Sequence, residues 1–183
     1  MEGCPPGFVF SGGACKKGGA DRPHACAPTD ASDCEKQCEK GDAASCDRHG
    51  SLILGGKAGP ADTAKAQAAF SKACSAGYAN ACGNLGVSHL SGKDRDPKKA
   101  MAAFEKGCAM GSARACDSAG FMALNGLAGP KDAARALKMY VKGCEGGDFG
   151  ACTNAGFLYA GGGGAGVQRD DQKALQYASR ACF

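Results

Sequence analysis

Apolar and polar positions recur along this chain with the spacing of one helix face. From residue 62 onward an aspartate is followed, at steps of four residues, by alanine, an aromatic residue and cysteine, with alanine replacing the aromatic residue in the last copy. Such positions share one side of an α-helix, and aspartate is a preferred N-cap. The pattern therefore predicts amphipathic helices that begin at four aspartates. These are Asp62, Asp96, Asp132 and Asp170.

A cysteine–glycine pattern follows and predicts a second helix in each unit. Cys-x7-Cys, with glycine three residues after the first cysteine and four after the second, occurs with first cysteines at 38, 74, 108 and 144. The first glycine ends one helix. The second cysteine lies near the start of another helix, of about a dozen residues, roughly 18 Å long. A glycine inside that helix costs about 1 kcal/mol relative to alanine, so its recurrence indicates close helix packing.

The repetition predicts an all-α solenoid of helix–turn–helix units. Successive first cysteines, including Cys182, are 36, 34, 36 and 38 residues apart, and large aliphatic residues are sparse among the 183 residues. Such units bury thin apolar layers against their neighbours. We expect the solenoid in residues 26–183 and a separate cysteine-rich segment in residues 1–25. In that segment Phe8-Val9-Phe10, bounded by turn-forming residues, predicts a hairpin.

Thirteen cysteines in this length indicate a disulfide scaffold and an oxidising compartment. We therefore expect an exported protein, secreted, periplasmic or in the cell envelope, whose leader has been removed before Met1. Cysteines on either side of a tight turn can reach the roughly 5.5 Å Cα separation of a disulfide. The expected pairs are Cys4–Cys15, Cys26–Cys34, Cys38–Cys46, Cys74–Cys82, Cys108–Cys116 and Cys144–Cys152.

Two cysteine assignments have alternatives. Cys15 could replace one partner of the Cys26–Cys34 pair. Cys182 occupies the first position of a pair whose second position lies beyond Phe183, so we expect it to be unpaired in a shortened array, or intermolecular.

Charge and motif spacing argue against several function classes. The formal charge of +4 is spread among acidic residues, which gives little support to nucleic-acid binding. No apolar run approaches the ~18 residues of a membrane span. Cys-x7-Cys lacks zinc-ligand spacing, so neither a metal nor another cofactor is expected. The pairs Ser71-Lys72 and Ser88-His89 are sequence neighbours that point to different helix faces, so we expect no catalytic site.

The segment Ala81-Cys82-Gly83-Asn84-Leu85-Gly86, the period near 36 and the pattern Asp-x3-Ala-x3-Phe-x3-Cys resemble the Sel1-like repeat family, which is related to tetratricopeptide repeats. The Cys-x7-Cys pairs resemble its disulfide-bearing branch, the Helicobacter cysteine-rich proteins. This resemblance implies a right-handed α-solenoid whose concave groove binds a protein or peptide. It also implies an alternative, a binder of penicillin-like or cell-wall ligands with at most weak β-lactamase activity. A third interpretation is a structural subunit that associates head to tail through open solenoid ends.

The tetratricopeptide groove pattern, placed on the second helices by their glycines, implies a set of groove residues. They are Asp47, Ser51, Asn80, Gly83, Val87, Arg114, Asp117, Phe121, Thr153 and Phe157. Phe121 and Phe157 share one repeat position. They would be anchors for a peptide or glycan if exposed, and otherwise part of the core between helices.

Overall fold

The computed structural model describes residues 8–11, 14–17, 25–91, 95–162 and 166–181, the first two ranges by their backbone only. Its two short strands, β1 (Phe8–Ser11) and β2 (Ala14–Lys17), pair antiparallel where a hairpin is predicted. The α-helices among the described residues are α1 (Ala31–Glu39), α2 (Ala43–Leu54), α3 (Thr63–Ser75), α4 (Ala79–His89), α5 (Pro97–Ala109), α6 (Ala113–Asn125), α7 (Ala133–Glu145), α8 (Phe149–Phe157) and α9 (Asp171–Arg180). A π-helical turn, Leu158–Gly162, continues α8.

The helices begin where the aspartates predict. The side chain of Asp62 accepts a hydrogen bond from the backbone N–H of Lys65 at 3.0 Å, and Asp132 accepts one from Arg135 at 2.8 Å. Asp96 and Asp170 cap α5 and α9 in the same way. Each bond satisfies one backbone N–H that the first helical turn leaves without a partner. The four predicted N-caps are therefore confirmed.

The repeated internal glycines let aromatic rings approach the second helices. A β-carbon at Gly86 would lie 2.6 Å from Phe104, and one at Gly120 would lie 2.7 Å from Tyr140. Carbon atoms in contact normally stay about 3.5–4.0 Å apart, so these rings occupy space that any side chain would fill. The prediction of close helix packing is confirmed, and the rings form much of the core between units.

Five of the predicted cysteine pairs lie at disulfide distance. Their S–S separations run from 1.96 to 2.10 Å and their Cα–Cα separations from 4.4 to 4.8 Å. In four of these Cys-x7-Cys turns, those whose first cysteine is at 38, 74, 108 or 144, the glycine three residues after that cysteine has a φ of about 90°, a left-handed conformation that glycine adopts without steric cost. The turn thus brings the two cysteines together. The Cys4–Cys15 pair and Cys182 lie outside the described side chains, and the division of the chain at residue 25 stays a prediction.

Consecutive helices pack antiparallel and the units stack into a right-handed α-solenoid. The alanines of the predicted core face, Ala66, Ala100 and Ala136, are fully buried. The last described helix differs from the others, since α9 has no buried residue and Leu175 is 74% exposed. Among the described helices, the core is thus built between α1 and α8, and α9 covers one side of α8.

Candidate functional site

The second helices of the units, α2, α4, α6 and α8, lie side by side and are joined by polar side chains. Asn84 on α4 donates a hydrogen bond through Nδ2 to Asp47 on α2 at 2.7 Å. Asn154 on α8 donates the equivalent bond to Asp117 on α6 at 2.9 Å. We call the solvent-facing side of these four helices the second-helix face, and these Asn–Asp bonds its polar row.

The structure places the groove residues predicted from the sequence on this face. Three of them, Asp47, Gly83 and Asp117, are half-buried. The exposed ones are Ser51, Asn80, Val87, Arg114, Phe121, Thr153 and Phe157. The prediction thus selected surface positions of four neighbouring helices, and a role for them in binding stays a prediction.

An apolar row runs beside the polar row. Val87, Phe121 and Phe157 each lie five residues after the second cysteine of their unit, and their side chains are 42%, 54% and 59% exposed. The alternative interpretation of the two phenylalanines as core residues is therefore wrong. Large apolar side chains that recur together on a surface mark an interaction site more often than an isolated exposed residue does.

Burial controls the electrostatics of the polar row. Burial raises the pKa of the Asp47 carboxyl, while the bond from Asn84 and the nearby charges of Arg48 and Arg114 act in the opposite direction. Burial also raises the pKa of Asp117, where the bond from Asn154 opposes it and the charge of Asp148 adds to it. The amide donors therefore offset part of the cost of keeping two carboxylates between helices.

A cavity of about 210 Å³ opens on the second-helix face between α4 and α6. Polar groups of Asp47, Asn80 and Arg114 line it, and it reaches the ring of Phe104. A hydrogen bond from α6 fixes the side chain of Asn80. The hydroxyl of Ser112, the N-cap residue of α6, donates to Oδ1 of Asn80 at 3.0 Å. The cavity therefore combines polar walls with an apolar side.

A larger cavity, of about 420 Å³, lies between α5 and α7 beside the loop that leads to Asp132. Arg135 and Glu105, which form an ion pair across the two helices, both line it. It lies on the first helices of the units and contains none of the predicted groove residues.

Sequence reasoning missed the two asparagines that connect the helices of this face. Asn84 and Asn154 both lie two residues after the second cysteine of their unit, next to the position it did select. Their shared register was the available signal. Whether a side chain at that position reaches the next second helix depends on how the units stack. The spacing of residues within one unit does not determine that stacking.

The structure gives the surroundings of the candidate metal ligands and of Ser88. Within residues 25–91, 95–162 and 166–181, no three His, Cys, Asp or Glu side chains are grouped so that they could hold a metal ion. Ser88 is fully buried and its hydroxyl donates to the carbonyl of Leu85 at 2.7 Å. No helix in this part of the chain is both long enough and apolar enough to cross a membrane.

Several solved structures share this fold. A protective antigen of uropathogenic Escherichia coli strains superimposes with a TM-score of 0.73 at 22% identity, over 83% of this chain and 33% of that one. A Sel1 repeat protein from Oxalobacter formigenes gives 0.71 at 23% identity, over 83% of this chain and 63% of that one. Cysteine rich protein B of Helicobacter pylori gives 0.54 at 26% identity, over 66% of this chain and 86% of that one.

This chain thus spans about a third of the first of these structures and less than two thirds of the second. No curated protein sequence is significantly similar to it.

The Sel1 repeat model matches residues 43–78, 79–112, 113–148 and 150–182. Each matched repeat begins at a second helix, so the boundaries between matched repeats fall inside the Cys-x7-Cys turns. Three disulfides therefore join one matched repeat to the next, namely Cys74–Cys82, Cys108–Cys116 and Cys144–Cys152. This differs from the unit predicted from the sequence, which enclosed the turn. With four consecutive matches, the chain belongs to the Sel1 repeat family, whose members are generally non-catalytic scaffolds for protein–protein interactions.

Proposed function

We propose that this chain is an exported, non-catalytic scaffold that binds an extended segment of a partner protein on its second-helix face. The observation that carries the proposal is the apolar row. Val87, Phe121 and Phe157 occupy one repeat position on three consecutive second helices, and all three are exposed. Aromatic residues, phenylalanine among them, are enriched in the buried centres of protein interfaces.

The usual separation of packed helices is close to the repeat of an extended chain. Packed helices lie about 8–10 Å apart, and a polyproline II segment advances about 3.1 Å per residue with three residues per turn. Its side chains at positions i, i+3 and i+6 therefore recur at about 9 Å on one side. A partner segment that crosses the helices could place one apolar side chain on each residue of the row.

The polar row gives such a segment a second line of contacts. Residues four apart on a helix are neighbours on its surface, about 5–6 Å apart, which is the offset between Asp117 and Phe121. The amide and carboxylate groups of the polar row can therefore reach the backbone of a segment whose side chains lie on the apolar row. We propose that the apolar row supplies affinity and that the polar row sets the orientation of the segment.

Five disulfides among the described residues support the exported location, because disulfides persist in oxidising compartments. The likeness to cysteine rich protein B of Helicobacter pylori adds to this support.

The test is a double substitution, Phe121→Ser with Phe157→Ser, in the oxidised protein. Both side chains are more than half exposed, so we expect an unchanged helical circular dichroism spectrum. Peptides selected from a displayed random 12-residue library on the parent protein should bind the variant at least about 30-fold more weakly, the effect of losing one hot-spot residue. Leu175→Ser, which removes a 74% exposed side chain from α9, is the matched control and should leave affinity unchanged.

Three results would argue against the proposal. Equal affinity of the parent and the double variant would remove the apolar row as the binding surface. Turnover of a chromogenic β-lactam that persists through purification would contradict a non-catalytic role. Concentration-dependent polymers in light scattering, without peptide binding, would favour a structural subunit.

A further inference from the structure

The polar row is interrupted at one place. In the pairs α2–α4 and α6–α8, an aspartate one residue after the second cysteine accepts a bond from an asparagine on the next second helix. In the pair α4–α6, the corresponding positions hold Gly83 and Ser118. Glycine has no side chain that could accept a bond, so this pair cannot form the link that its neighbours have.

The cavity of about 210 Å³ opens at this interruption, and Gly83 and Ser118 both line it. A β-carbon at Gly83 would lie 3.6 Å from Cβ of Ala115 and 4.0 Å from the Ser112 hydroxyl, which are ordinary contact distances. The helices therefore do not require glycine here for close packing, in contrast to Gly86. The absence of a side chain at this position instead leaves space for an external group.

The polar groups around the cavity define what it could hold. Hydrogen-bond acceptors are available from the carboxylate of Asp47 and from Oδ1 of Asn84, whose Nδ2 is used to donate to that carboxylate. Donors are available from the exposed guanidinium of Arg114 and from Nδ2 of Asn80, whose Oδ1 accepts from Ser112. A group that both donates and accepts would be satisfied from two sides.

Charge selects among such groups. A carboxylate in the cavity would face Asp47 and an ammonium would face Arg114, and like charges at close range are unfavourable. A neutral carboxamide meets neither repulsion. It is also the group that asparagine supplies to the polar row in the two neighbouring helix pairs.

We propose that the cavity at Gly83 is a specificity subsite that receives the carboxamide side chain of an asparagine or glutamine in the bound peptide. This inference rests on the proposed function and adds to it the residue that the partner segment carries beside its apolar anchors. The carboxamide donates to Asp47 and accepts from Arg114 or Asn80, replacing the link that Gly83 and Ser118 cannot form.

The experiment compares peptide selection on three proteins with a displayed random 12-residue library. The parent should enrich asparagine or glutamine at one fixed distance from the apolar anchors. Gly83→Asp with Ser118→Asn restores the Asp–Asn pair of the neighbouring helices and fills the cavity. This variant should lose the carboxamide preference, by at least about tenfold in enrichment, and retain the apolar anchors. Ala68→Asp with Ser71→Asn adds the same groups at exposed positions of α3 and should select like the parent.

Several outcomes would overturn the subsite. The preferred residue at that position could be acidic, which would show that Arg114 dominates, or basic, which would show that Asp47 dominates. A carboxamide preference that survives in the Gly83→Asp, Ser118→Asn variant would place its origin elsewhere. Apolar anchors without any polar preference would reject the subsite and leave the proposed function standing, whereas the absence of all enrichment would reject both.

Discussion

Replacement of Gly86 by alanine tests the packing between neighbouring units. The new β-carbon would lie 2.6 Å from Cε1 and 2.7 Å from Cδ1 of Phe104, about 1 Å inside normal contact. Phe104 is only 2% exposed and packs in a cluster with Ala100, Met101 and Ala115, so its ring has little room to retreat. Overpacking of this kind costs about 1–3 kcal/mol, while alanine gains about 1 kcal/mol over glycine in a helix.

Gly83→Ala, three residues earlier on the same helix, is the matched control. It brings the same gain in helix propensity, but its β-carbon would lie at an ordinary 3.6 Å from Ala115. We therefore expect Gly83→Ala to stabilise the protein by up to about 1 kcal/mol and Gly86→Ala to be less stable than this control by about 1–3 kcal/mol.

Guanidinium denaturation of the oxidised proteins at 25 °C, followed by circular dichroism, measures both changes. Combining Gly86→Ala with Phe104→Leu should recover part of the loss, because the two changes compensate in one contact. Equal stability of Gly86→Ala and Gly83→Ala would refute the idea that these glycines are retained for helix approach.

Two further predictions concern the disulfides and pH. Replacing Cys108 and Cys116 together by serine should lower the free energy of unfolding by about 2.5 kcal/mol, the chain-entropy value for so short a loop, measured by denaturation of the oxidised variant against the oxidised parent. Burial, with a smaller contribution from the charge of Asp117, raises the pKa of Tyr140 to about 12. In the unfolded chain the phenol ionises near pH 10. The contribution of Tyr140 to stability is therefore fully present below that pH and is lost as the pH rises towards 12. Unfolding free energies should therefore fall by about 1 kcal/mol more between pH 9 and pH 11 in the parent than in Tyr140→Phe. A parallel decrease in both proteins would contradict this shift.

Much of the fold could be predicted because its determinants are local. An aspartate cap acts within three residues, as the bond from Lys65 to Asp62 shows, and a left-handed glycine ends a helix within the same turn. The Cys-x7-Cys spacing brings its own two sulfurs together through that turn. Repetition then converts these local signals into an architecture, because identical units with one apolar face can only stack.

The candidate site was predicted less completely. Sequence register placed Phe121 and Phe157 on one repeat position but could not decide between core and surface. Phe104 lies on the core face of a first helix and is 2% exposed, whereas Phe121 is 54% exposed. Both are phenylalanines in amphipathic helices, and only the packing of neighbouring helices determines which side of each helix faces solvent.

The amino-acid sequence alone establishes the helix starts, the disulfide turns and the four helices that carry the predicted groove, since these depend on residues within about a dozen positions. It also establishes the period, because the same local pattern recurs every 34 to 38 residues. The contacts between Asn84 and Asp47, which are 37 residues apart, and the cavity left by Gly83 follow from the tertiary structure. Their physical origin is the rotation and spacing of neighbouring second helices, which result from packing across the whole array. The same glycine residue type therefore provides close helix contact at Gly86 and an open cavity at Gly83.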